Sequence, residues 1–257
     1  MDLDKIAPLE RFTGRAQAYE RARPGYPAEA LNFVLKHCGL KNGSILIDVG
    51  CGTGISSRAF AKLDLQVIGI EPNDDMLAMA CAANIGLDYQ APTYQAGKAE
   101  STGLSDAYAD AVLSAQTFHW FEPETTLLEF RRILKNKGRV ILIWNEHDQL
   151  DPYTRQYSDL ILSLPGAVEI QALRNRAGGP LLASKLFQHG ERFVFRNEQN
   201  LDEQGLIERA FSDSCAPTET KAVERFTKAV QDIFKAHQQS GKIILRYQTT
   251  VYVAQKG

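Results

Sequence analysis

The 257-residue chain contains no run of about 20 uninterrupted apolar residues, which excludes a membrane-crossing helix of the usual length. Its opening, Met-Asp-Leu-Asp-Lys, lacks the charged-then-apolar order of a secretion signal, so we expect a cytoplasmic protein with no membrane partner. Cysteine is scarce and scattered: Cys38, Cys51, Cys81 and Cys215 include no Cys-x-x-Cys pair, so neither a structural zinc site nor a redox dithiol is indicated. Basic residues are not in excess either. With 29 Lys+Arg against 31 Asp+Glu and a formal net charge of -2, the chain offers no electrostatic reason to approach nucleic acid. No Gly-x-x-x-x-Gly-Lys-[Ser/Thr] sequence occurs, which removes the usual cradle for a nucleoside triphosphate.

What is present is a rhythm. From residue 44 short apolar runs alternate with amphipathic stretches, as βαβ units of a parallel sheet require. Ile45 to Val49 reads as a first strand, and Ile55, Ala59 and Leu63 share one face of the helix after it. Val67 to Ile70 reads as the next strand, ending at Glu71-Pro72, with Asn73 or Asp74 capping the helix that holds Met76, Leu77 and Ala80. Further strands are predicted near Tyr89 to Ala96, at Ala111 to Leu113 and at Val140 to Trp144. Leu127, Phe130 and Leu134 predict a helix between the last two. Past residue 150 the rhythm fades, with helices predicted over Tyr153 to Leu164 and around Ala222 to Ile233, and a strand at Arg192 to Phe195. The Thr-, Val- and Tyr-rich stretch Ile243 to Ala254 reads as a long antiparallel strand at or near the sheet edge. The expected fold is α/β and doubly wound: a mostly parallel, Rossmann-like sheet with an antiparallel last strand and a helical cap. We expect a single domain over 1–257, with an N-terminal lid at 1–27, a ligand-binding core at 41–148, a variable cap at 149–242 and the final strand at 243–254. Phe12, Tyr19, Arg23 and Tyr26 stand ahead of any sheet element.

The most informative segment is Asp48-Val49-Gly50-Cys51-Gly52-Thr53-Gly54, set between the first strand and the first helix. Glycines there let the backbone turn sharply and approach a ligand that a Cβ would repel. Glu71 ends the neighbouring strand, where a carboxylate can accept two hydrogen bonds from a ribose. Together they specify a nucleoside. A nicotinamide fingerprint requires glycine at its sixth position, where this chain has Ile55, so the pattern is Gly-x-Gly-x-Gly instead.

At these residues the chain resembles the class I S-adenosylmethionine-dependent methyltransferases of the small-molecule branch, especially the trans-aconitate-methyltransferase-like members. The resemblance runs over most of residues 10–148. It rests on Ile47 to Gly54, on Gly69-Ile70-Glu71-Pro72, on Gly97-Lys98-Ala99-Glu100, on Ala109 to Val112 leading into Gln116 to Phe121, on Arg132 to Lys135, and on the arm Ala18 to Pro27. Asn136-Lys137-Gly138 departs from the Pro-Gly-Gly common in relatives. The resemblance implies that Gly50, Gly52 and Gly54 line the methionine and ribose portions of S-adenosylmethionine, leaving S-adenosylhomocysteine as product. Asp48 orients the loop or the cofactor's amino group, and Glu71 holds the ribose. Pro72 and Met76 pack on the adenine, Ala99 and Glu100 meet its edge, and Gln116 lies with the cofactor. His119 is the candidate proton acceptor, the competing reading being a histidine that only shapes the pocket. Tyr19, Arg23, Trp120 and Trp144 are candidate substrate contacts, Arg23 as a two-bond clamp for a carboxylate. For each of these, ordinary packing or a surface salt bridge is the plainer alternative.

The implied activity is in-line methyl transfer to a small-molecule acceptor by a monomer or homodimer. Two other readings stay open at this level: a cofactor-binding module without catalysis, and a methyltransferase of RNA or protein. The absence of an Asn/Asp-Pro-Pro-Tyr/Phe motif after the fourth strand counts against base amino methylation.

Overall fold

A computed structural model describes residues 16–257; Phe12 and the rest of the leading arm before residue 16 lie outside the described residues. Two helices, α1 (Ala16–Ala22) and α2 (Ala28–Cys38), precede the sheet. The alternating part follows: β1 (Ile45–Val49), α3 (Ile55–Ala61), β2 (Gln66–Glu71), α4 (Asp74–Ala82), β3 (Thr93–Ala96), β4 (Ala109–Ala115), α5 (Pro123–Ile133) and β5 (Leu134–His147). Three helices come next, α6 (Pro152–Leu162), α7 (Ala167–Arg176) and α8 (Gly179–Ala183). The chain closes with β6 (Phe187–Leu201), α9 (Glu203–Phe211), α10 (Thr220–His237) and β7 (Ile243–Lys256).

These strands form one seven-stranded sheet in the order β3-β2-β1-β4-β5-β7-β6. β1 to β5 pair in parallel, and β7 runs antiparallel between β5 and β6. The fold is therefore the doubly wound, Rossmann-like one, and its strand order reverses between β1 and β4. At such a reversal the two flanking connections leave in opposite directions and open a crevice at the carboxyl ends of the strands.

Burial explains the central strands. Leu46 and Ile47 of β1 point to opposite faces and are both fully enclosed, each meeting a different apolar layer. Asn73 caps α4 by accepting from the Met76 N–H at 3.0 Å, and Glu122 caps α5 by accepting from the Thr125 N–H at 2.8 Å. Three predicted boundaries move. α5 stops at Ile133, and Leu134 opens β5 while keeping its place in the same core layer as Leu127 and Phe130. α3 stops at Ala61, short of Leu63. β3 begins at Thr93 rather than near Tyr89, since Pro92 has no N–H for the ladder.

The last three strands in space are long: β5 has 14 residues, β6 has 15 and β7 has 14, against 4 to 7 in β1 to β4. At one end of this overhang Leu245 and Tyr247 of β7 pack with Tyr157 of α6, Leu206 of α9 and Val230 of α10 as a third apolar cluster, separate from the two layers on the sheet. No helix among the described residues is long and apolar enough to cross a membrane.

Candidate active site

The glycine loop turns through left-handed backbone at Gly50, Gly52 and Gly54, with φ of 71°, 55° and 82°. A Cβ at Gly50 would stand 2.7 Å from Thr117 Oγ1, whereas at Gly52 it would face open space, which is the side a ligand can approach. Two carboxylates set the loop's shape from below. Asp48 is fully buried and its Oδ2 accepts from the Ser56 and Ser57 hydroxyls, both at 2.6 Å, while its Oδ1 has no partner. Burial pushes the Asp48 carboxyl up to about 6 against the pull of those hydroxyls. Glu71 accepts from the Gly52 N–H at 2.9 Å and from the Asn73 N–H at 3.0 Å, so it ties the loop to the end of β2; burial raises it while these amides hold it down.

Facing the loop is the arm formed by α1 and the residues after it. Tyr19, Arg23 and Tyr26 line one wall of a cavity whose other wall is Gly50 to Thr53, with Gln116, Asn145 and Arg209 also at its edge. Its enclosed space is about 40 Å³, room for a water or two and far less than a nucleoside fills. Gln116 holds φ of 65°, a conformation that side chains rarely adopt, and its N–H donates to the Ile143 carbonyl at 2.8 Å. The Thr53 hydroxyl is buried without a partner.

Beyond this cavity lies a second polar cluster. Arg23, Arg174 and Arg209 all act on Asp213: burial disfavours its carboxylate, yet these cations and the Cys215 N–H hold the group below its ordinary range. Arg23 stands over the Tyr19 ring at 4.8 Å, donates to the Ser212 carbonyl at 2.7 Å and lies 3.7 Å from Asp213. Arg209 is buried, with long bonds to Tyr247 Oη at 3.3 Å and to Ser212 Oγ at 3.4 Å. Both ring nitrogens of His119, Nε2 of His147, Oη of Tyr157 and Nε of Arg174 are buried without partners. Burial, with Arg174 and Arg23 adding to it, lowers His119 well below its ordinary range; burial and Arg209 bring His147 to about 3. Both imidazoles are thus neutral.

The sequence-predicted residues divide accordingly. Tyr19, Arg23, Gly50, Gly52 and Gln116 meet at the cavity. Asp48, Glu71 and Gly54 support the loop from behind. Met76 and Ala99 are buried, and Pro72 is half-buried. Glu100 is exposed, and its carboxylate accepts weakly from the Glu122 N–H at 3.3 Å. His119 stacks on Trp120 with ring centroids 4.5 Å apart. Trp144 is buried edge-on to Tyr252, its indole N–H without a partner. Sequence reasoning missed Thr53, Asn145, His147, Arg174 and Arg209. Thr53 sits inside the loop motif and was within reach; the others lie on the β5 end, α7 and α9, which carry no local motif.

Residues 47–142 match the family described as "Methyltransferase domain". An uncharacterized methyltransferase of Mycobacterium tuberculosis is 33% identical over 150 residues, 58% of this chain and 58% of that protein. Among solved structures, the YcgJ protein from Bacillus subtilis aligns at a TM-score of 0.54 with 16% identity, covering 90% of this chain and 99% of that one. The Haemonchus contortus phosphoethanolamine N-methyltransferase 2, in complex with phosphomonomethylethanolamine and S-adenosylhomocysteine, aligns at 0.53 with 19% identity, over 99% of this chain and 59% of that one. At those identities the solved structures speak for the fold alone. Residues 47–142, which hold the glycine loop and the carboxylate that closes it, are thus similar to a methyltransferase domain, and the chain spans a little over half the length of the curated relatives it matches.

Proposed function

We propose that the protein transfers the sulfonium methyl of S-adenosylmethionine to a small acceptor carrying a carboxylate or comparable anion. The observation that supports this reading is one cavity bounded by the glycine loop on one side and by Arg23 and Arg209 on the other. Bound S-adenosylmethionine supplies an already activated methyl, so the residues around it mainly orient the partners and exclude water. Glu71 would hold the ribose hydroxyls and Asp48 the amino group, through its free Oδ1. The Thr53 hydroxyl offers a further donor, and Met76 with Pro72 would flank the adenine.

On the acceptor side, three guanidinium groups act on the one carboxylate of Asp213, in a setting where burial makes charge costly. An anionic ligand offsets it, and a guanidinium fork binds a carboxylate in two parallel bonds. His119 and Trp120 would wall the same space. A carboxylate acceptor needs no base, so the neutral His119 is then a hydrogen-bond partner rather than a proton acceptor.

The test is methyl transfer from labelled S-adenosylmethionine to matched pairs of small acids and their amides or neutral isosteres. Turnover confined to the acids is expected, and Arg209→Gln should lower kcat/KM for them by about 10- to 100-fold with little change in S-adenosylhomocysteine affinity. Equal use of neutral acceptors would remove the anion; no methyl transfer to any acceptor, with cofactor still bound, would favour a non-catalytic binding module.

A further inference from the structure

Arg58 stands in the last turn of the seven-residue α3, the helix that opens from the glycine loop. The guanidinium folds back toward the loop, where its Nη1 donates to the Thr53 carbonyl at 2.8 Å and its Nη2 donates to the carboxylate of Glu20 on α1. The Arg58 and Glu20 side chains are 12% and 24% exposed, so this pair is shielded from solvent far more than a surface ion pair.

Glu20 adjoins Tyr19, and Tyr19 with Arg23 forms the wall facing Gly52 and Thr53. Elsewhere the arm is tied to β6, where the Ala22 carbonyl accepts from Gln199 at 2.9 Å and the Gly25 carbonyl from Asn197 at 2.9 Å, and to the end of α9, where Arg23 donates to the Ser212 carbonyl and faces Asp213. The Glu20–Arg58 pair ties it to the glycine loop instead. With about 40 Å³ enclosed, arm and loop must part to admit an adenosyl ligand and must rejoin to retain it.

We propose that Arg58 is a positioning residue that couples the arm to the glycine loop, with Glu20 as its partner, and that this pair sets how long the cofactor stays bound. The proposal rests on the cofactor reading above and adds a role for two residues that touch no cofactor atom themselves. Breaking the pair leaves Glu71 and the glycines in place but releases the arm from the glycine loop, its ties to β6 and Ser212 remaining.

Stopped-flow binding of S-adenosylhomocysteine to the full chain tests it, with the thermal midpoint of every variant measured alongside. Glu20→Gln and Arg58→Lys are each expected to speed dissociation by about tenfold, the weight of a shielded charge-assisted hydrogen bond, while association changes less. The double variant should dissociate no faster than the worse single one, since both remove the same link. Dissociation within twofold of the parent in Glu20→Gln, or singles whose effects multiply in the double variant, would overturn the coupling. Should a variant not fold, tryptic cleavage of the unmodified chain after Arg21 decides instead. Protection by S-adenosylhomocysteine is expected, and equal cutting with and without it counts against the proposal. A parent chain that binds no S-adenosylhomocysteine at all would sink the cofactor reading itself, which is a different outcome from unchanged kinetics.

Discussion

At Asp48 burial and hydrogen bonding pull in opposite directions, and burial wins: its carboxyl titrates at about 6 instead of 3.8. A raised carboxyl contributes stability below pH 4 that is lost as pH rises through 6, at a cost of about 3 kcal/mol once the group is ionised. A cationic amino group at the free Oδ1 would recover part of that. S-adenosylhomocysteine affinity should therefore rise by up to about tenfold between pH 5 and pH 7, and calorimetry on Asp48→Asn should find a flat profile. His119 offers a second measurement. With a carboxylate acceptor, His119→Ala should leave kcat within a few-fold of the parent; a loss on the order of 100-fold with unchanged cofactor affinity would mean that a hydroxyl is being deprotonated there. The loop residues and Glu71 were legible because their chemistry is written in consecutive positions. Arg209, Arg174 and His147 were not, because burial of an arginine is a property of what folds over it, and nothing beside them in sequence announces that.

The element that fixes the loop's far side is β3. Its Tyr94 ring lies where a Cβ on Gly69 would come within 2.5 Å, and its hydroxyl where one on Gly54 would come within 2.2 Å. Gly69→Ala is accordingly expected to destabilise the fold by about 1–3 kcal/mol in denaturant unfolding. Adding Tyr94→Leu should return part of that loss, since the clash is with the ring. At the opposite edge of the core, Glu129 of α5 accepts from the Thr102 N–H at 2.8 Å and from Arg132 Nε at 2.7 Å, holding the segment after β3 against α5. This gives Arg132, read first as part of a motif, a structural task. Existence and order of the core strands were legible from apolar runs bounded by turns, whereas their ends were not. The predicted Arg192 to Phe195 strand extends from Phe187 to Leu201 because an edge strand is wetted on much of its surface, which dilutes the apolar signal with Arg, Glu and Asn. Leu134 kept a helical spacing from Leu127 while changing element, since core burial alone does not distinguish the two periods.

For the whole molecule, two neutral imidazoles inside a cluster of cations set the acid response. His147 titrates at about 3 and His119 well below 6.5, so the unfolded chain takes up protons that the folded one refuses. Their contribution is present above pH 6.5 and is lost as pH falls toward 3, opposite in sign to that of Asp48. The thermal midpoint should drop below pH 6.5, and His147→Gln should flatten that slope by roughly 2–5 kcal/mol over the window. The cap, whose helices α6 and α10 were legible while α7 to α9 were not, is built on the overhang of β5, β6 and β7, and its apolar cluster is separate from the two layers around β1. Those projecting strands work as girders: under the proposed function, the wall that would meet the methyl acceptor hangs from them, outside the two layers beneath the glycine loop. Refitting the protein for a different client then means exchanging side chains that the sheet's interior never feels.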